Sequence, residues 1–237
     1  MHGALFEDRS EAGQRLALHL SHLAGLDVVV LALPRGGVPV GLELARGLDA
    51  DLDVLMVQKL GAPGQPELAV GAVASDGALA VNPRIAQVLG MERSHLQAEA
   101  NRWAGELAAR AARFRSGAPA VPVAGRTVVV VDDGVATGAS LRAALDVVRT
   151  HHPGELVVAV PVAPPDACEA LASVADRVEC LHKPPEFVAV GHWYRDFTQV
   201  SEGEVVRMLA QRAAERAGQG VSDRPRATRG HVRGDSG

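Results

Sequence analysis

With 237 residues, 47% of them hydrophobic and 22% charged, the chain is long enough for one α/β domain with a large core, and its balance is that of an ordinary folded protein. No apolar run approaches the roughly 18 residues of a membrane span, and the opening MHGALFEDRSE carries no secretory pattern; a cytoplasmic protein without membrane association is expected. A formal net charge of −4 argues against nucleic acid as a partner, and Cys168 and Cys180, without metal-ligand spacing, read as buried thiols.

In chain order, Asp8 and Glu11 have the spacing of an N-cap and its capping-box partner, and Ala12, Leu16, Leu20 and Leu23 recur at helical intervals. The first element is therefore expected to be a packing helix. Residues 28–33 are a continuous apolar strand of the kind covered on both faces, followed by Pro34-Arg35-Gly36-Gly37 and a helix over 38–48. Gly36 and Gly37 let backbone N–H groups approach an anion, and Arg35 adds a charge that does not titrate; a plain strand-to-helix turn accounts for the same residues. Residues 54–57 read as a second strand that delivers Gln58 and Lys59 into a loop over 60–67. Segments 69–74 and 78–81 form a hairpin through Ser75-Asp76-Gly77, and Asn82-Pro83 opens a helical region. Leu96, Ala100, Trp103, Leu107 and Phe114 mark a long amphipathic helix, packed on the domain or on a second subunit, with a lid as the alternative.

Residues 128–140, VVVVDDGVATGAS, organise the rest. Four β-branched residues make a buried strand, Asp132 and Asp133 mark its end, and Gly134, Val135, Ala136, Thr137 and Gly138 form a small-residue loop that opens a helix near Ser140. Such a loop converges N–H groups and a hydroxyl on a phosphate, and the helix N-terminus adds favourable partial charge. Both carboxylates would repel that phosphate, so their use lies beside it, accepting hydrogen bonds from neutral hydroxyls. A phosphate next to a diol is a ribose 5-phosphate group. A strand over 156–162, a helix over 166–174 and a strand over 177–181 complete an alternation that predicts a parallel twisted sheet with helices on both faces. Ligands then bind at the carboxyl ends of the strands.

The segment 128–140 resembles, at every position, the signature of the type I phosphoribosyltransferases: an apolar strand, two acids, two to three variable residues, then Thr-Gly. The competing reading is a strand end whose acids bind Mg²⁺ in a nucleotide hydrolase or a phospho-receiver domain. Against it, the chain has no GxxxxGK[ST] and no GxGxxG, and a receiver carries its acids on the first strand. The resemblance implies phosphoribosyl pyrophosphate and a base as substrates, with Mg²⁺ carried by the substrate. It also implies that the 134–138 backbone, Thr137 and Ser140 anchor the 5-phosphate while Asp132 and Asp133 hold the ribose hydroxyls. PRGG is similar to the SRGG of bacterial purine members, a pyrophosphate loop with a strained, cis-type peptide before Arg35. Lys59 then belongs to a mobile catalytic loop.

Four of the seven aromatic residues crowd into 187–197. They are either a satellite hydrophobic cluster or a platform for a planar base. By resemblance to 6-oxopurine members, Lys183 reaches an exocyclic oxygen and Phe187 or Trp193 stacks on the ring. Those enzymes have an aspartate before Thr-Gly that handles a purine proton; here it is Ala136, as in adenine enzymes, so the acceptor is not named. The expected whole is one phosphoribosyltransferase-like domain over 1–215, its core at 26–182, its hood at 183–200 and a closing helix at 204–217. A disordered tail over 216–237 and a homodimer are also expected. A non-catalytic phosphoribosyl pyrophosphate-binding regulator is the alternative from another class.

Overall fold

The computed structural model describes residues 4–62 and 64–222, without the side chains of 66, 67 and 219–222. Its main sheet has five parallel strands: β1 (Val28–Ala32), β2 (Asp51–Val54), β6 (Thr127–Val131), β7 (Glu155–Val162) and β8 (Arg177–His182). They are ordered β2-β1-β6-β7-β8. Valine runs form the centre because the sheet is covered on both sides and leaves no polar face. Side chains alternate across it. Val28, Val30, Val129 and Val131 meet α1 (Arg9–His19), α2 (Gly37–Leu48) and α7 (Glu202–Ser222) in one core. Val29, Leu31, Val128 and Val130 meet α5 (Ala139–Arg149) and α6 (Pro165–Ala172) in the other.

A second sheet of antiparallel strands, β3 (Val57–Ala62), β4 (Gln65–Ala74) and β5 (Leu79–Val81), leads to α3 (Pro83–Val88) and α4 (Arg93–Phe114). Two expectations are corrected here. The strand expected over 54–57 is the end of β2 and the start of β3, separated by Leu55 and Met56. The loop expected over 60–67 is mostly strand, with register shifts on either side of Gly61. Lys59 therefore stands on β3, paired with Ala72, and not in a loop.

Helix α4 buries Leu96, Ala100, Leu107, Ala111 and Phe114 against this same chain. Its end is tied down by Arg115, whose Nε donates to the buried Asp53 at 2.7 Å. The last helix corrects the tail boundary at 216: α7 continues to Ser222. Arg216 on it donates to Asp51 at 3.1 Å, and the buried Arg212 donates to the Ala50 carbonyl at 3.0 Å and to Asp49 at 2.9 Å. The remainder of the expected tail, 223–237, lies outside the described residues. Cys168 and Cys180 are both free thiols. Among the described residues no helix is long and apolar enough to cross a membrane.

Candidate active site

From β1 the chain passes to α2 on one face of the sheet, and from β6 to α5 on the other. A crevice opens between the two departures, at the point where strand order reverses. Residues 34–37 and 132–138 both lie there, joined at their base by the Leu33 N–H donating to the Val131 carbonyl at 2.9 Å. The peptide between Pro34 and Arg35 is cis, as the resemblance implies.

The loops touch closely. A Cβ on Gly36 would lie 2.0 Å from Asp133 Oδ2, and one on Gly37 would lie 2.8 Å from the Val131 carbonyl and 3.0 Å from Asp132 Cα. The two glycines are thus demanded by the acid pair itself, a reason that sequence reading did not supply. The Gly37 N–H donates to the Leu33 carbonyl at 3.0 Å, which removes it from the donors available to an anion. Arg35 is half-buried and, among the described residues, its side chain makes no hydrogen bond or ion pair.

Asp132 and Asp133 are held together by the Asp133 N–H, which donates to Asp132 Oδ1 at 2.9 Å. Burial, then the neighbouring Asp133 charge, push Asp132 up to about 8; the Asp133 N–H and Arg9 pull the other way. Burial also raises Asp133, opposed by Arg9, whose Nε donates to Asp133 Oδ2 at 2.8 Å. Two desolvated carboxylates with one countercharge among the described residues favour neutral hydrogen-bond donors over a phosphate. A sugar diol supplies such donors.

The following loop turns its outer face to solvent at the start of α5. Gly138 has φ +75°, a left-handed conformation that lets the chain turn sharply into α5. Ala136, Thr137, Ala139 and Ser140 are exposed around that helix start, and the Ala139 N–H reaches Thr137 Oγ1 at 3.5 Å. Val135 is different: its side chain is core, and its N–H donates to the Val162 carbonyl at 2.9 Å, so it is not free to bind phosphate. Gly134 faces inward too, where a Cβ would lie 2.5 Å from Val190 Cγ1 of the hood.

Residues 11–195 match the family model described as the phosphoribosyl transferase domain. The chain belongs to that family. A Mycobacterium tuberculosis protein provisionally named a phosphoribosyl transferase is 47% identical over 219 residues, 92% of this chain and 49% of the relative. The chain thus spans about half the length of the curated relatives it matches. The crystal structure of TT1426 from Thermus thermophilus is 48% identical, covering 87% of this chain and 98% of that one, with a TM-score of 0.80.

The hood of this phosphoribosyl transferase domain is built differently from the expected base platform. Trp193 and Tyr194 are buried with Phe6, and Phe187 rests on Trp193 with ring centroids 6.1 Å apart. Trp193 is therefore core, and the satellite-cluster reading holds for it. Backbone bonds from Leu5 and Phe6 to the Trp193 carbonyl, and from Arg195 to the Phe6 carbonyl, tie the hood to the N-terminal segment. Lys183 is exposed just beyond β8, and Phe187 is half-buried. A cavity of about 740 Å³ between β4, β5 and α5 is lined by Ala139 at the start of α5 but by no residue of 34–37 or 132–138. The chemistry, and not the volume, locates the site.

Arg9 is the residue that sequence reading missed, having expected a packing helix and nothing more. Its Nη1 donates to the Thr198 carbonyl at 2.8 Å, and its guanidinium lies 3.8 Å from the centroid of the Phe197 ring. One signal was present: a cation in the first turn of a helix faces the positive end of the dipole, which calls for a specific partner.

Proposed function

We propose that the chain is a phosphoribosyltransferase that uses phosphoribosyl pyrophosphate and displaces its pyrophosphate with a nitrogenous, purine-like base. The observation that carries this reading is the contact of Gly36 with Asp133, which brings a loop bearing a guanidinium with no hydrogen bond or ion pair among the described residues against a buried acid pair. Thr137, Ser140 and the N–H groups at the start of α5 take the 5-phosphate. Asp132 and Asp133 accept from the ribose hydroxyls and stabilise positive charge as the bond from C1 to pyrophosphate breaks. Arg35 meets the charge that grows on the leaving group, and Lys59 approaches from β3. The base then forms the new C1–N bond, with Lys183 and Phe187 lining its side. Ala136 supplies no proton acceptor, so the acceptor's proton leaves by another route.

Mg²⁺ would be carried by the substrate: among the described residues no cluster of three or more His, Cys, Asp or Glu forms a metal cage, and an ion held by the substrate's phosphates and by water would neutralise pyrophosphate charge.

The test is calorimetric titration of phosphoribosyl pyrophosphate with Mg²⁺, followed by pyrophosphate release across a panel of bases. Wild type should bind and turn over one base, and Asp132→Asn/Asp133→Asn should lose binding. Arg35→Gln should cost roughly 100- to 1,000-fold in turnover while leaving ribose 5-phosphate binding intact. Binding without turnover on any base would reassign the chain as a regulator, and no binding would end the reading.

A further inference from the structure

We propose that Arg9 is a positioning residue for the acid pair, holding Asp133 as an oriented carboxylate and coupling the N-terminal helix to substrate binding; this rests on the phosphoribosyl pyrophosphate reading above. Arg9 and Asp133 are 124 positions apart in the chain, yet their side chains meet at 2.8 Å and are only 11% and 14% exposed. The guanidinium has three separate grips. Nε holds Asp133 Oδ2, Nη1 holds the Thr198 carbonyl, and the planar face lies 3.8 Å from the Phe197 centroid. Such a clamp fixes the direction of the carboxylate as well as its charge, because a planar fork offers each donor at a set angle. One oxygen of Asp133 is engaged and Oδ1 is left for a substrate hydroxyl.

The hood reinforces the same residue. The Tyr194 hydroxyl donates to the Asp133 carbonyl, and Phe6 is bridged to Tyr194. Asp133 is thus held at its backbone by the hood and at its side chain by α1. An ion pair made only for stability would have no reason to engage one of the two acids placed for the substrate.

A pH dependence follows. The groups facing Asp133 are Asp132 on its own loop, Arg9 from α1 and Tyr194 from the hood; Arg35 is on the adjoining loop, the N-cap Asp8 lies near Tyr194, and Asp196 lies near Arg9. Arg9 is the cation that pairs directly with Asp133. Without it, Asp133 takes up a proton at higher pH and ceases to be a full acceptor for the ribose diol. Substrate affinity should then fall on the acid side and recover as pH rises.

The test is calorimetric titration of phosphoribosyl pyrophosphate with Mg²⁺ from pH 6 to pH 9, with thermal melts as the folding control. Arg9→Gln should weaken binding on the order of tenfold at the acid end of that range and move the acid limb up. Arg9→Lys should restore the limb, with weaker binding than wild type because the second grip is lost. Phe197→Leu, which removes the stack and leaves the charge, should move the limb the same way by less. A folded Arg9→Gln with affinity and limb unchanged, or with tighter binding, overturns the proposal. Should Arg9→Gln fail to fold, an unmoved limb in Phe197→Leu overturns it. No binding by wild type would sink both readings. Binding by wild type that is lost in Asp133→Asn but unaffected by Arg9→Gln would sink the Arg9 role alone.

Discussion

Replacing Gly36 by alanine tests the junction of the two loops with a single methyl group. Gly36 has φ −62° and ψ −35°, a backbone that alanine adopts freely, so any effect comes from space and not from conformation. The new Cβ would sit 2.0 Å from Asp133 Oδ2 and 2.6 Å from its Cγ. Relief to ordinary contact moves that carboxylate by more than about 1 Å, which takes it out of its 2.8 Å bond to Arg9. Overpacking costs about 1–3 kcal/mol, and a hydrogen bond between charged groups contributes about 1.5–3 kcal/mol. The two overlap, so a loss of about 3 kcal/mol is expected, leaving the domain folded if it has an ordinary margin of about 5–15 kcal/mol. Binding should suffer more than folding, because the displaced group is the proposed diol acceptor. Urea denaturation reads the first effect and calorimetric titration with phosphoribosyl pyrophosphate the second. Gly105→Ala is the control: nothing lies within 4 Å of its Cβ in α4, and alanine there should gain about 0.5–1 kcal/mol. A Gly36→Ala protein with wild-type stability and affinity would refute the contact between the loops.

The acid pair also sets a pH dependence of stability without ligand. Asp132 is raised from 3.8 to about 8, so the folded chain binds its proton more tightly than the unfolded one. The stability from this group is complete below about pH 4 and is lost as pH rises through about 8. Melting temperature should fall across that window in wild type and less in Asp132→Asn; equal slopes would refute burial as the cause. Asp53 tests a structural ion pair away from the crevice, since it is 3% exposed and accepts from Arg115 Nε and from the Val54 and Val121 N–H groups. Asp53→Asn should cost about 3 kcal/mol in denaturation while substrate affinity below the transition stays unchanged; lost affinity with full stability would refute its structural role.

How much of this was legible depended on the range of the interactions. The parallel sheet could be read from runs such as Val28–Ala32 and Thr127–Val131, because only a doubly covered strand is apolar at every position. The strand ends 34–37 and 132–138 could be read for the same reason, since polar and small residues interrupt those runs abruptly. The β3–β4 hairpin misled because Gly61, Pro63 and Gly64 look like loop signals, while pairing absorbs Gly61 through register shifts. Arg9 was out of reach: no local periodicity links it to Asp133 or to the Thr198 carbonyl, 189 positions away.

The deeper difference lies in what the motif residues are for. Gly36, Gly37 and Gly134, read as room for an anion, are all filled from within: by Asp133, by the Val131 and Asp132 backbone, and by Val190. Phe197, read as one of a crowd around a base, stacks on Arg9. Substitution of these residues would therefore weaken binding whether or not they touch the ligand, because each holds the acid pair or its loop in place. Arg35 is the exception among the described residues of the crevice loops, with no side-chain hydrogen bond or ion pair to lose. A loss of turnover on neutralising Arg35 thus reports directly on its proposed contact with the leaving group, whereas the same loss at Gly36 reports first on Asp133.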